Sequence, residues 1–194
     1  MRLGTVAQVR SGLVLARKQA RSRTEYRYPL LNLKCIHPRG YIDTSLCEVF
    51  DSVEHLNPEY ITHKGDIVIR LTIPYTAVLI TDELEGFVIP SSFVVVRTDR
   101  SVLIPEYLVW LLNSQKVKKR IYESTVSNML GAVKPRYFAE FELDELHISQ
   151  QLMMADLNRL AQRETQLLAQ LAAEKEKYYD YVLNRVYTDM KRGN

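Results

Sequence analysis

The sequence predicts an α+β protein. A globular domain with a twisted, mainly antiparallel sheet and flanking helices is followed by one long C-terminal helix of the coiled-coil kind. Three observations predict it. Gln150 to Tyr187 contains no proline and no glycine and is rich in Leu, Ala, Gln, Glu, Lys and Arg, all strong helix formers. Between residues 67 and 97 lie several β-branched runs of strand length, bounded by Gly, Pro and Asp. Ile104-Pro105-Glu106 then opens a helix, with proline in its first turn. The expected boundary puts the globular domain at residues 1–148 and the helix at 149–194.

In chain order, Leu3, Val6 and Val9 recur at helical spacing, which predicts a short helix or helical turn, with an edge strand as the alternative; Ser11-Gly12 closes it. Residues 13–27 are basic and polar and read as a loop. Tyr28 to Ile36 suggests a strand, and His37-Pro38-Arg39-Gly40 a turn. A weak strand follows at Cys47 to Phe50. Lys64-Gly65-Asp66 turns into the strand Ile67 to Leu71, and Ala77 to Thr81 and Phe93 to Arg97 are further strands, with a shorter run at Phe87-Val88-Ile89. Tyr107, Leu108, Leu111 and Leu112 give the helix after Pro105 an apolar face. Asn113-Ser114 interrupts that helix, and Gln115 to Tyr122 resumes it. Ser124 to Gly131 reads as a polar loop, and Val133 to Glu142 as a basic turn with a short apolar segment.

The long helix carries a narrow apolar seam. Met153, Leu160 and Leu167 share one heptad position, and Leu157, Leu171 and Tyr178 share the position four residues later. Glu164 and Glu174 interrupt it. From Gln150 to Tyr187 the rod is about 55 Å long at roughly 1.5 Å per residue, more than a compact domain of this size needs. Met153, Leu157, Leu160, Leu167, Leu171 and Tyr178 are therefore the expected dimerisation residues, joining two copies antiparallel. The alternative is a helix folded back on its own domain.

Composition narrows the function classes. No stretch reaches the apolar length of a membrane span, and the N-terminus lacks a signal-peptide core. Cys35 and Cys47 make neither a metal nor a redox spacing. A cytoplasmic protein without membrane partners is expected. The net charge of +3 is only mildly basic, but its distribution is uneven. Arg10, Arg17, Lys18, Arg21, Arg23 and Arg27 crowd the first thirty residues against a single acid, Glu25. Lys116, Lys118, Lys119 and Arg120 form a second cluster, Lys134 and Arg136 a third. Such clusters suit phosphate contacts.

Enzyme signatures are missing. The four histidines are scattered, and neither GxxxxGK[ST] nor GxGxxG nor Gly-x-Ser-x-Gly is present. Ile73-Pro74-Tyr75 lacks the polar residue and second proline of an amino-methyltransferase motif. Glu174-Lys175-Glu176-Lys177 has a nuclease look but no suitable upstream aspartate. A binding module without catalytic residues or metal ligands is expected.

In their order, several stretches resemble a known family. These are Leu3-Gly4 through Arg10-Ser11-Gly12, Gly65-Asp66-Ile67-Val68-Ile69, Gly86 to Arg97, and Pro105-Glu106-Tyr107-Leu108 through Leu112-Asn113-Ser114. A loop containing Gly131 follows, then Gln150-Gln151 with Ala155-Asp156-Leu157. Together they resemble the DNA specificity (S) subunit of type I restriction-modification systems, in a half-subunit form with one target-recognition domain and one long helix. Two features depart from that family: Leu143 to Ser149 lacks the usual proline-rich segment, and there is one domain and one helix where a full subunit has two of each. The resemblance implies a non-catalytic reader of double-stranded DNA. Two recognition domains would bind two half-sites held apart by an antiparallel helix pair. Methyltransferase (M) and restriction (R) subunits would be its partners, and S-adenosylmethionine, ATP and Mg²⁺ would bind only to them, so the chain itself needs no cofactor.

A reader needs cations for phosphates and polar side chains for base edges. Candidates are Arg17, Lys18, Arg21 and Arg23 in the first loop, and Arg70, Thr72 and Tyr75 after the central strand. Ser91 and Ser92 lie between two strands, Ser127 and Asn128 in the polar loop, then Lys134 and Arg136. The rival reading is a coiled-coil protein–protein adaptor that binds no DNA; a third is an enzyme with an unrecognised site.

Overall fold

A computed structural model of the chain describes residues 1–125 and 132–192. The fold is α+β, and the chain divides into two compact units, Met1–Leu152 and Met153–Asn194. The first unit opens with one helical turn, α1 (Leu3–Val6), which passes directly into strand β1 (Ala7–Ser11). Both readings of the N-terminal stretch thus occur in succession. Val9 pairs with Val96 in the sheet, and that ladder outweighs the local helical spacing. Next come β2 (Arg27–Leu30), β3 (Ile36–His37), β4 (Tyr41–Ile42), β5 (Glu48–Asp51), β6 (Ile67–Arg70), β7 (Ala77–Leu79) and β8 (Phe93–Thr98). The principal sheet is fully antiparallel, in the order β1-β8-β6-β7; β2-β5 and the β3-β4 hairpin form two small two-stranded antiparallel sheets.

Side-chain alternation along these strands builds the core. Val68, Val78, Phe93 and Val95 share one face of the sheet and pack on Leu31, Cys35, Ile36, Phe87 and Ile89. Their neighbours Ile67, Ile69, Val94 and Val96 are equally buried and point to the opposite face, as a period of two requires. Helices α2 (Pro105–Asn113), α3 (Gln115–Thr125) and α4 (Pro135–Ala139) flank the sheet; α2 lies against β7 and α4 against β1. Burial on both faces explains why the strands read as continuous apolar runs.

Three polar residues lock this packing. Asn113 ends α2 and clasps the start of β7: its Oδ1 accepts from Ala77 N at 3.1 Å, and its Nδ2 donates to Ala77 O at 2.7 Å. Ser114 then caps α3, accepting from Val117 N through its hydroxyl at 3.3 Å. The Asn-Ser interruption is therefore a strand clamp joined to a helix cap. Asp66 is almost fully buried, and its carboxylate accepts from Arg97 Nε at 2.9 Å, Arg97 Nη2 at 3.1 Å and His63 N at 3.0 Å.

The strand expected over Tyr28 to Ile36 is broken in two. Asn32 Oδ1 accepts from both Lys34 N and Cys35 N at 2.9 Å. That side chain supplies a local turn which outcompetes the extended backbone. Residues 87–90 form bridges to Leu13, Leu30 and Ile61 rather than a strand of the ladder. Both cysteines are free; burial, and then Cys35 beside it, push the Cys47 thiol up to about 12.

Helix α5 (Ile148–Arg192) contains the whole proline- and glycine-free stretch Gln150 to Tyr187 and starts one residue before the expected boundary at 149. Its first turns belong to the first unit. Gln150 Oε1 accepts from His147 N at 3.0 Å, folding back over the helix start. Gln151 is buried and fully satisfied: its Oε1 accepts from Ile104 N at 2.9 Å, and its Nε2 donates to Leu146 O at 3.0 Å and Val102 O at 3.2 Å. The Gln150-Gln151 pair is thus a cap followed by an anchor. Beyond Leu152 the helix continues as the second unit. Its seam residues Met153, Leu157, Leu160, Leu167, Leu171 and Tyr178 are all exposed, between 47% and 61%. No described helix is long and apolar enough to cross a membrane.

Candidate nucleic-acid interface

The antiparallel register brings several loops to one end of the principal sheet. Ser11, the last residue of β1, pairs with Val94; Arg70, the last of β6, pairs with Phe93; and Ala77, the first of β7, pairs with Ile69. Backbone hydrogen bonds stitch these loops together. Gly12 N donates to Phe93 O at 3.1 Å, Ser91 N to Leu13 O at 2.7 Å, Leu71 N to Ser92 O at 3.1 Å and Val133 N to Leu71 O at 2.9 Å. Gly12 is required for the closeness: a Cβ there would lie 2.1 Å from Pro90 O.

Charge is polarised along the sheet. The segments at this end, residues 12–24, 71–76, 90–92 and 132–136, contain Arg17, Lys18, Arg21, Arg23, Lys134 and Arg136 and no acidic residue. The loops at the opposite end, residues 63–66, 81–86 and 98–102, contain Asp66, Asp82, Glu83, Glu85 and Asp99 against Lys64 and Arg100. The loops at the basic end carry no acid of their own, although Asp51, Glu54 and Glu140 lie beside them, and the far end is acid-rich, so the unit has a directed field that favours a polyanion on one side.

The basic loop is ordered. Leaving the sheet, it runs beside β5: Val53 N donates to Lys18 O and Ala20 N to Asp51 O, both at 2.9 Å, and Thr24 Oγ1 donates to Ser52 O at 2.8 Å. Arg21 and Arg23 line a small open cleft with Val49 and Asp51. Arg17, Arg21 and Arg23 are exposed, and no ion pair with a described residue engages their guanidinium groups. Lys18 is paired with Glu54, and Arg136 with Glu140 at 2.7 Å. Lys134 is exposed beside this rim.

The remaining candidates divide. Ser91 is exposed and Ser92 half-buried at the turn before β8. Arg70 is spent within the fold: its Nε donates to Thr72 Oγ1 at 3.0 Å and its Nη1 to Leu33 O at 3.2 Å, so Arg70 and Thr72 shape the rim together. Tyr75 requires a correction. It is 3% exposed, in the left-handed region at φ 53°, with its hydroxyl 3.2 Å from Thr125 Oγ1. A ring buried in this way anchors the 71–76 turn and is withheld from a base. The residue which that turn presents is Ile73, 56% exposed; an apolar side chain at a turn tip is a signal the sequence reading passed over. Ser127 and Asn128 lie outside the described residues.

The second basic cluster is largely consumed by structure. Lys119 faces Glu123 at 3.9 Å, Arg120 lies over the Phe141 ring at 5.3 Å, and burial lowers the pKa of Lys118. Among the described residues, no three His, Cys, Asp or Glu side chains are grouped to hold a metal ion.

No family model matches this sequence, and no curated protein matches it. Solved structures do. A chain from work on complex assembly and conformational transition of the type I R-M system superposes with a TM-score of 0.63 at 19% identity. The HsdS subunit of Thermoanaerobacter tengcongensis superposes with a TM-score of 0.68 at 17% identity. In each case 91% of this chain is covered but only 45% of the other, so this chain spans about half their length. The similarity runs through the first unit into the long helix, and the chain has the fold of one half of a type I S subunit.

Proposed function

We propose that this chain is a non-catalytic, sequence-specific DNA-binding subunit of a type I restriction-modification system. It pairs through its C-terminal helix with a second copy, reads a bipartite site, and recruits methyltransferase and restriction subunits in the cytoplasm. The observation that carries this reading is the polarised sheet: one end gathers six cations, of which Arg17, Arg21, Arg23 and Lys134 have no ion pair with a described residue, on loops tied to each other by backbone hydrogen bonds. The shared fold supports it. Chemistry on DNA then belongs to the partner subunits, together with their S-adenosylmethionine, ATP and Mg²⁺, and the pure chain neither cleaves nor methylates DNA.

Duplex binding measured against salt tests the reading, because each neutralised phosphate releases counterions. The purified chain is expected to bind duplex DNA with an affinity that falls steeply between low and physiological salt. Arg21→Ala should weaken binding to every sequence and reduce the log–log salt slope by about one. Lys18→Ala should do less, because Glu54 already neutralises that ammonium. Salt-independent or undetectable binding would favour the protein–protein adaptor instead.

A further inference from the structure

The β3-β4 hairpin places a free guanidinium beside the basic rim, and we propose that Arg39 reads a guanine in the major groove. The inference rests on the DNA-reading function proposed above and names a residue that performs it.

The hairpin is short and stiff. Ile36 pairs with Ile42 and His37 with Tyr41, leaving Pro38-Arg39-Gly40 as the tip. Gly40 N donates to His37 O at 2.9 Å, and Arg39 N donates to His37 Nδ1 at 3.1 Å. The His37 and Tyr41 rings stack at 4.3 Å, tilted by only 15°. At the root, Cys35 and Ile36 are buried in the core, and Asp43 N donates to Cys35 O at 2.8 Å. Gly40 sits at φ +87°, where L side chains are strained, and a Cβ there would lie 3.5 Å from Ala77 O. Ala77 directly follows the 71–76 turn, so the tip borders the rim built from Thr72, Ile73 and the neighbouring loops. Leu33 O, which accepts from Arg70 Nη1, ties the preceding segment to the same end.

Arg39 is exposed at this tip, and its guanidinium has no partner among the described residues. Residues 34–42 add two cations, Lys34 and Arg39, and again no acid. The occupant is set by charge and by donor geometry. A surface on which Arg17, Arg21, Arg23 and Arg39 have no ion pair with a described residue favours a polyanion, and the planar fork of an arginine matches the O6 and N7 acceptors of guanine, the commonest specific contact of this side chain. Holding the backbone of the tip rigid lowers the ordering cost of such a contact.

The test uses the full chain and the duplex it selects from a random library. Arg39→Ala should lose its preference at one G·C position per half-site, with roughly a tenfold fall in discrimination there, while binding to unrelated duplexes changes far less. Arg39→Lys keeps the charge but not the fork, and should lose the same preference. Replacing the read guanine by 7-deazaguanine removes N7; it should weaken wild type several-fold and leave Arg39→Ala unaffected. The proposal is overturned if Arg39→Ala retains every base preference, or if each 7-deazaguanine substitution weakens wild type and variant equally. Those outcomes leave the DNA-reading function standing. Failure of the wild-type chain to select any duplex would overturn both.

Discussion

Leu160→Glu combined with Leu167→Glu should leave the protein monomeric where the proposed helix pairing makes wild type a dimer. Both leucines lie on the exposed seam of α5, 56% and 47% accessible in the single chain. The seam continues through Met153, Leu157, Leu171 and Tyr178, each also about half exposed or more. An exposed apolar stripe of that length, although Glu164 and Glu174 interrupt it, calls for a partner. In a two-fold dimer every substitution occurs twice. At about 1.5–3 kcal/mol for fully burying a leucine, with about half of each side chain left to bury, the four lost side chains remove roughly 3–6 kcal/mol of association energy, before the cost of burying glutamates. Sedimentation of wild type and double variant at micromolar concentration decides it. A variant that sediments like a wild-type dimer would place the interface elsewhere. Since Met153–Asn194 is a unit of its own, the near-UV spectrum of Trp110 should be unchanged in the monomer.

Asp66→Ala should unfold the first unit, Met1–Leu152, at markedly lower temperature. The carboxylate is 4% exposed and holds Arg97 through two hydrogen bonds, and Arg97 Nη2 also donates to Ile61 O at 3.0 Å. Removing the acid strands a cation between β8 and the 61–66 segment and leaves His63 N without its acceptor. Breaking a buried pair by deleting one partner costs about 3–5 kcal/mol. Arg97 remains a quarter exposed and so recovers some hydration, which puts the expected loss at the lower end. For a unit of this size that is a fall in Tm on the order of 10 °C. Fluorescence of Trp110, the only tryptophan, reports this unit alone. A loss below about 1 kcal/mol would mean that water already screens the pair.

Much of the architecture was legible because local and tertiary signals agree. The runs at 67–70 and 93–98 are buried on both faces, so their apolar character is continuous and strand length alone delimits them. The C-terminal helix needs no tertiary support to be recognised. Legibility failed where one side chain rewrites the backbone. Asn32 splits an apparent strand through two hydrogen bonds to nearby N–H groups. Val9 looked helical because its spacing from Leu3 and Val6 is helical, but Val96 claims it for the sheet.

The candidate interface was legible in its cations and obscure in its detail. A run of arginines shows which segment is basic, not which members are already paired. Glu54 lies thirty-six residues from Lys18, so no local pattern discloses their pairing. Tyr75 is a candidate by its place after the central strand, yet Thr125, fifty residues away, meets its hydroxyl in the interior. Arg39 was visible only as punctuation in a turn. Its relation to the rim depends on Gly40 lying against Ala77, a contact that spans thirty-seven positions.

Under the proposed function, two copies of this chain, joined through their helices, read DNA as a symmetric pair. Selection of bound duplexes from a random library by the purified chain tests it most directly. The account predicts two identical short half-sites in inverted orientation, separated by a spacer of fixed length and unread sequence, because a two-fold protein imposes its symmetry on the site. Enrichment of a single contiguous, asymmetric site, or of no site at all, would contradict it.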